Sequence, residues 1–247
     1  MKKKIIFSAA ILCAALSFTS CGNSKNGGDL TIDAKVENGN LVNSQVDEVR
    51  AVGYLDGEPI PVDIDNDGEI DYYDYPNVII ATAPFKNGGF KITLPKKIDE
   101  RLIEPLIEDF TEGVPNVKIS NKNVKGAMFE RLEAFKNNKL VGTFESSYES
   151  GQTGAFPMYM FVDGNCNISG SFSETFGGYK MEETMDVNLK KGWNTVYVVH
   201  TEAGTTVTYN VTTKKPKYDF TWHFYGYYDY DKPQKSPIKS LNLLKKR

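Results

Sequence analysis

Cysteine is scarce in this chain of 247 residues: only Cys13, Cys21 and Cys166 occur. Two of them fall in the N-terminal leader described below. Cys166 is then left without an intramolecular partner, so no disulfide framework is expected and burial has to hold the fold. Histidine is rarer still, with His200 and His223 alone. There is no His-Glu-x-x-His helix, no Gly-x-Ser-x-Gly elbow and no phosphate-cradling glycine loop. These absences argue against zinc hydrolysis, serine acyl transfer and nucleotide binding, and the expectation is a protein that is not an enzyme. A carboxylate pair of the glycosidase kind stays open, because acidic residues are plentiful and sequence does not give their spacing in space. Beyond the leader there is no second long apolar run, so no later segment is expected to span a membrane.

The leader itself is distinctive. Met1-Lys2-Lys3-Lys4 is basic, Ile5 to Phe18 is uncharged and largely apolar, and Thr19-Ser20-Cys21 follows with small residues and a thiol. This is the layout of a signal peptide over 1–20, with an apolar run too short for a comfortable transmembrane helix. A thiol at the first residue after cleavage is what lipid attachment requires, so Cys21 is the expected acylation site and the lipid bilayer the first expected partner. Phe18 departs from the pattern, which commonly has an aliphatic residue there. Loss of Lys2, Lys3 and Lys4 takes 29 basic residues to 26 against 32 acidic ones, a net charge of −6. That charge opposes nucleic acid as a partner.

The remaining chain reads as all-β. Residues 21–29 are a Gly- and Asn-containing tether. Residues 30–117 read as a small antiparallel β-sandwich. Leu30 to Val36 alternates, Val78-Ile79-Ile80-Ala81 is a β-branched run suited to a strand buried on both faces, and Phe90, Ile92 and Leu94 share a face. A short helix is expected near Ile98–Phe110, with Leu102, Leu106 and Phe110 on one side. Residues 118–230 read as an eight-strand antiparallel meander: 127–135, 140–148, 156–162, 167–172, 180–189, 193–200, 205–212 and 218–225, separated by short turns. Closing the meander into a lipocalin-like up-and-down barrel would remove its exposed edges; a second β-sandwich is the alternative. Residues 231–247 read as a loose basic tail.

Two stretches carry candidate chemistry. The loop from Asp63 to Asp74 places oxygen ligands Asp63, Asp65, Asp67, Asp71 and Asp74 at positions 1, 3, 5, 9 and 12, with Gly68 at the tight turn and the Glu69 carbonyl at position 7. Position 12 is Asp where a bidentate Glu is usual, and the flanks are not helical. The two readings are a weak Ca²⁺ loop between strands and a solvated acidic loop; no cofactor is required by either. The second stretch is the final strand. Tyr218, Phe220, Trp222 and Phe224 share one parity, suited to a core face. Trp222, Tyr225, Tyr227 and Tyr228 are the candidates for stacking on a sugar or another planar ligand.

Three motifs, Lys86-Asn87-Gly88-Gly89-Phe90-Lys91-Ile92-Thr93-Leu94-Pro95, Val162-Asp163-Gly164-Asn165-Cys166-Asn167-Ile168-Ser169-Gly170 and Leu189-Lys190-Lys191-Gly192-Trp193-Asn194, together with the leader, resemble lipoproteins of Bacteroidetes with two β-rich domains and no assigned activity. The resemblance implies a cell-envelope protein, anchored in the outer membrane. Relatives sent to the cell surface often carry an acidic run after the lipidated cysteine; Gly22-Asn23-Ser24-Lys25-Asn26 stands here, which implies the periplasmic face. It supplies no catalytic residues. The expected function is non-catalytic binding of a small molecule, a glycan fragment or an envelope protein through the C-terminal β region. The alternatives are a structural or assembly lipoprotein with a packed barrel, and a small carboxylate hydrolase.

Overall fold

The computed structural model describes residues 29–62, 72–106, 116–129 and 131–227. Cys21, the tether, the loop 63–71, Phe110, Tyr228 and the basic tail lie outside these residues. The described chain is all-β, as expected. Its strands are β1 (Leu30–Lys35), β2 (Glu48–Tyr54), β3 (Ile60–Val62), β4 (Tyr72–Asp74), β5 (Asn77–Pro84), β6 (Gly89–Leu94), β7 (Glu104–Pro105), β8 (Lys118–Ile119), β9 (Lys125–Phe129) and β10 (Arg131–Lys136). They continue as β11 (Lys139–Ser150), β12 (Thr153–Val162), β13 (Cys166–Phe176), β14 (Tyr179–Leu189), β15 (Gly192–Ala203), β16 (Thr206–Thr212) and β17 (Thr221–Gly226). One helical turn, α1 (Gly39–Val42), and a 3-10 turn at Glu100–Leu102 interrupt them.

Every strand expected in the second half is present, the first represented by β9 and β10 on either side of residue 130, which lies outside the described residues. Turn chemistry explains much of this. At the β10–β11 turn both Asn137 and Asn138 have positive φ, 50° and 61°. Two such residues form the hairpin turn whose twist matches that of paired strands, and Asn tolerates the left-handed region better than most side chains.

The pairing of the strands departs from a meander. One large sheet runs β5-β2-β10-β11-β12-β15-β16-β14-β13-β8, with β17 on β11 and β9 on β12. Its ends, β5 and β8, do not meet, so the expected lipocalin-like barrel is not formed. The reason lies at the β14–β15 connection. Those strands are joined by two residues yet are not paired; β16 lies between them, parallel to β14 and antiparallel to β15. Asn194 holds this corner. Its Oδ1 accepts from the Lys190 N–H at 2.8 Å, and its amide donates to the Lys190 carbonyl at 2.7 Å and the Gly192 carbonyl at 2.9 Å. With the turn's polar groups bonded to Asn194, the short link redirects the chain between strands that pair elsewhere.

The ladder also crosses the boundary expected near residue 117. β2 pairs with β10 along Val52–Glu48 against Arg131–Phe135, so residues from both sides of that boundary share one sheet. β1 and β6, distant in sequence, pair as a separate two-stranded sheet, and Val36, just past β1, bridges to Trp222 of β17.

Two apolar cores result. The first gathers Leu30, Ile32, Phe90, Ile92 and Leu94 of the β1–β6 pair with Val49, Leu132, Phe144, Tyr159, Phe161, Trp193 and Trp222. The second gathers Met160, Val162, Cys166, Ile168, Val187, Leu189, Val196, Val198 and Val211. Alternation along β12 sends Tyr159 and Phe161 to the first and Met160 and Val162 to the second, so this strand is buried on both faces. Each large side chain so buried contributes about 1.5–3 kcal/mol. Trp193 adds an indole N–H donated to the Pro95 carbonyl at 2.7 Å.

Two further expectations change. Val78–Ala81 is not a doubly buried strand: β5 is an edge of the sheet, and Ile79 is 50% exposed. Of the helix expected near Ile98–Phe110, the described residues show the 3-10 turn at Glu100–Leu102, the short strand β7 and a helical Leu106, and residues 107–110 lie outside the described residues. Leu102 and Leu106 are both buried, but Leu102 packs against Gly53 and Leu106 belongs to the second core. The sequence Glu104-Pro105 is taken up as β7, paired with β9.

Candidate functional site

The candidate residues of the last strand separate by parity. Trp222 is 5% exposed and meets Phe90 edge to face, with ring centroids 5.0 Å apart. It is a core residue, which removes it from the ligand candidates. Tyr225 lies on the opposite face of β17, in register with Thr143 of β11. Tyr227 follows just beyond the strand, its N–H bonded to the Val141 carbonyl at 3.0 Å. Tyr228 lies outside the described residues.

Around Tyr225 the fold assembles residues far apart in sequence. Glu145 of β11 stands opposite His223 of β17. Glu149 continues the same face two alternations further along β11. Glu37 arrives from the end of β1: its N–H donates to the Trp222 carbonyl at 2.8 Å, and its Oε2 lies 3.0 Å from His223 Nδ1. His223 is 27% and Glu37 56% exposed at their side chains, so the contact sits at the rim of the surface.

The electrostatics follow from this crowding. Burial pushes the Tyr225 phenol well above its ordinary value, and the carboxylates Glu145, Glu149 and Glu37 push it further. Burial also raises the Glu149 carboxyl, an effect that His223 partly opposes. A phenol surrounded by carboxylates remains a hydrogen-bond donor, while the carboxylates are acceptors in a negative field. Such a surface can receive hydroxyl or cationic donors and repels anions.

Buried polar residues continue along this side of the same sheet. Thr143 pairs with Glu133 of β10, whose carboxylate accepts from the Tyr54 hydroxyl at 2.5 Å. In the other direction Glu149 pairs with Gly154, and Gly154 with His200. The missing side chain at 154 is structural: a Cβ there would lie 2.2 Å from the His200 ring. Burial lowers the His200 pKa, partly offset by Glu202.

The acidic loop is joined to the fold as a hairpin. β3 pairs with β4, Ile60 with Asp74 and Val62 with Tyr72, so both ends of the 63–71 segment are brought together. Asp74 stands in β4; Asp63, Asp65, Asp67, Glu69 and Asp71 lie outside the described residues, as does Cys21. Among the described residues, no group of three His, Cys, Asp or Glu is placed to hold a metal ion, and no helix is long and apolar enough to cross a membrane.

Sequence reasoning singled out Tyr225 and Tyr227 and did not bring Glu37, Glu145, Glu149 and His223 together with them. No local signal marks them, because the group exists only through the β11–β17 pairing and the Val36–Trp222 bridge. Searches with this chain found no matching family model, no matching curated protein and no matching solved structure.

Proposed function

We propose that this chain is a cell-envelope lipoprotein, of the kind its motifs resemble. Acylated Cys21 tethers it to the outer membrane on the periplasmic face. It binds a neutral, hydroxyl-rich ligand such as a glycan fragment on the β11–β17 face and does no chemistry on it. The observation that carries the reading is the convergence of Glu37, Glu145, Glu149 and His223 around the half-buried Tyr225. Carboxylates accept hydroxyl protons, a phenol supplies both a donor and an aromatic surface, and the negative field disfavours anionic ligands. Glu145 and Glu149 are four residues apart on one strand, about 13 Å between their Cα atoms. In this reading the 63–74 loop takes up Ca²⁺ weakly and gains order from it.

A second reading, an assembly lipoprotein that contacts another envelope protein, is favoured by one observation. The edge strand β5 exposes Ile79, Tyr75 just before it is 43% exposed, and a sheet edge is a template for a partner strand. The two separate by saturation-transfer NMR with maltohexaose, chitohexaose and xylohexaose as probes. The binding reading predicts transfer to at least one, reduced at least tenfold in the Glu145→Gln, Glu149→Gln double variant. Transfer to none, or equal transfer in both proteins, would overturn it.

A further inference from the structure

Further along the same side of the large sheet, beyond His200, lies a second place with its own chemistry. Glu183 of β14 is 8% exposed, and among the described residues nothing gives its carboxylate a hydrogen bond or an ion pair. The rest of the side chain is buried, but its carboxylate oxygens are not sealed from solvent, so a ligand can reach them, and a mostly buried carboxylate gains from a donor of opposite charge. Burial alone raises its pKa; no neighbouring charge contributes.

The strand register supplies its surroundings. Glu183 pairs with Phe172 on one side and Tyr209 on the other, and Tyr209 pairs with His200. The Tyr209 and His200 rings stand 6.0 Å apart. The next row outward is Glu174, Met181, Val207 and Glu202. The next row inward is Gly170, Met185, Val211, Val198 and Phe156. Phe172, Met181, Met185, Val207 and Tyr209 are all half-buried, a part-open apolar face. These three rows hold three carboxylates and no lysine or arginine. The His200 imidazole lies against Gly154 with its cationic form disfavoured by burial.

We propose that this face is a binding site for a small organic ammonium ion. Its apolar body lies on Phe172, Met181, Met185 and Val207, and its N–H groups donate to the buried carboxylate of Glu183, with Tyr209 alongside. An ammonium supplies both what Glu183 lacks, a donor and a counter-charge. Methionine side chains are unbranched and polarisable and adapt to an apolar body. A carboxylate ligand is repelled by Glu174, Glu183 and Glu202, and a neutral alcohol supplies the donor without the charge.

The test is calorimetric titration of the full chain with hexylammonium chloride, 1-hexanol and sodium hexanoate at pH 7. Expected are saturable binding of hexylammonium at millimolar concentration or below, at least tenfold weaker binding of hexanol, and none of hexanoate. Glu183→Gln keeps the shape and removes the charge; it should weaken hexylammonium at least tenfold. Val207→Lys supplies an internal ammonium while leaving Glu183 in place; it should block binding. Circular dichroism confirms that each variant is folded. No saturable binding of hexylammonium to the wild type would overturn the proposal, as would equal affinity for the wild type and Glu183→Gln.

Discussion

Glu183 and Tyr225 show how one residue's environment becomes a measurable property of the protein. Burial raises the Glu183 carboxyl above its ordinary value of 4.5. The folded state therefore holds that proton more tightly than the unfolded chain does. Below the ordinary value both states are protonated and Glu183 costs nothing through titration. As pH rises from there through the folded value, the unfolded chain ionises first and stability falls; above the folded value the loss is complete. Denaturant melts of wild type and Glu183→Gln should converge near pH 4 and separate as pH rises, with the variant the more stable. Parallel curves across that range would contradict the burial described here. At this scale the sequence was partly legible. Parity along the last strand separates Trp222 and Phe224, which face the core, from Tyr225. It does not identify Glu183, because Met181, Glu183 and Met185 read as an ordinary half-exposed face until the strand partners are known.

At the scale of elements, strand existence was written locally and strand pairing was not. Asn137-Asn138 and Gly177-Gly178 mark two turns through residues that tolerate positive φ. Lys190-Lys191 reads in the same way as a hairpin turn, yet the strands it joins do not pair. The deciding residue is Asn194, three positions into β15, whose side chain bonds backbone groups on both sides of the corner. Asn194→Ala removes all three bonds and should cost about 2 kcal/mol in urea unfolding, given roughly 1 kcal/mol per bond with some rehydration of the freed groups. An effect below about 0.5 kcal/mol would mean that the corner is held by the packing of Trp193 instead. The same limit explains β5. Val78 to Ala81 is β-branched enough for a central strand, but only the sheet order reveals that it lies on an edge.

At the scale of the molecule, β9–β10, β11 and β12 tie the two cores together. β10 takes β2 as one neighbour and β11 as the other, and β12 faces both cores. Composition and turn spacing suggested two units meeting near residue 117; the ladder runs through that point because the pairing of β10 with β2 is set by distant strands. A fragment of residues 118–230 would expose Phe144, Trp193 and Trp222 by losing the β1–β6 sheet, and would leave β10 without β2. It should lack the dispersed amide spectrum of the full chain. A well-dispersed NMR spectrum from that fragment would show that the two halves fold independently after all.

The central proposal is that this β body is tethered by lipid at Cys21 and carries a bound small molecule. Native mass spectrometry of the protein purified from its own envelope tests it most directly. The account predicts a chain beginning at Cys21 with added acyl mass, plus a further non-covalent adduct released by collisional activation. A chain with an unmodified residue 21, or an acylated chain with no adduct at any activation energy, would contradict it.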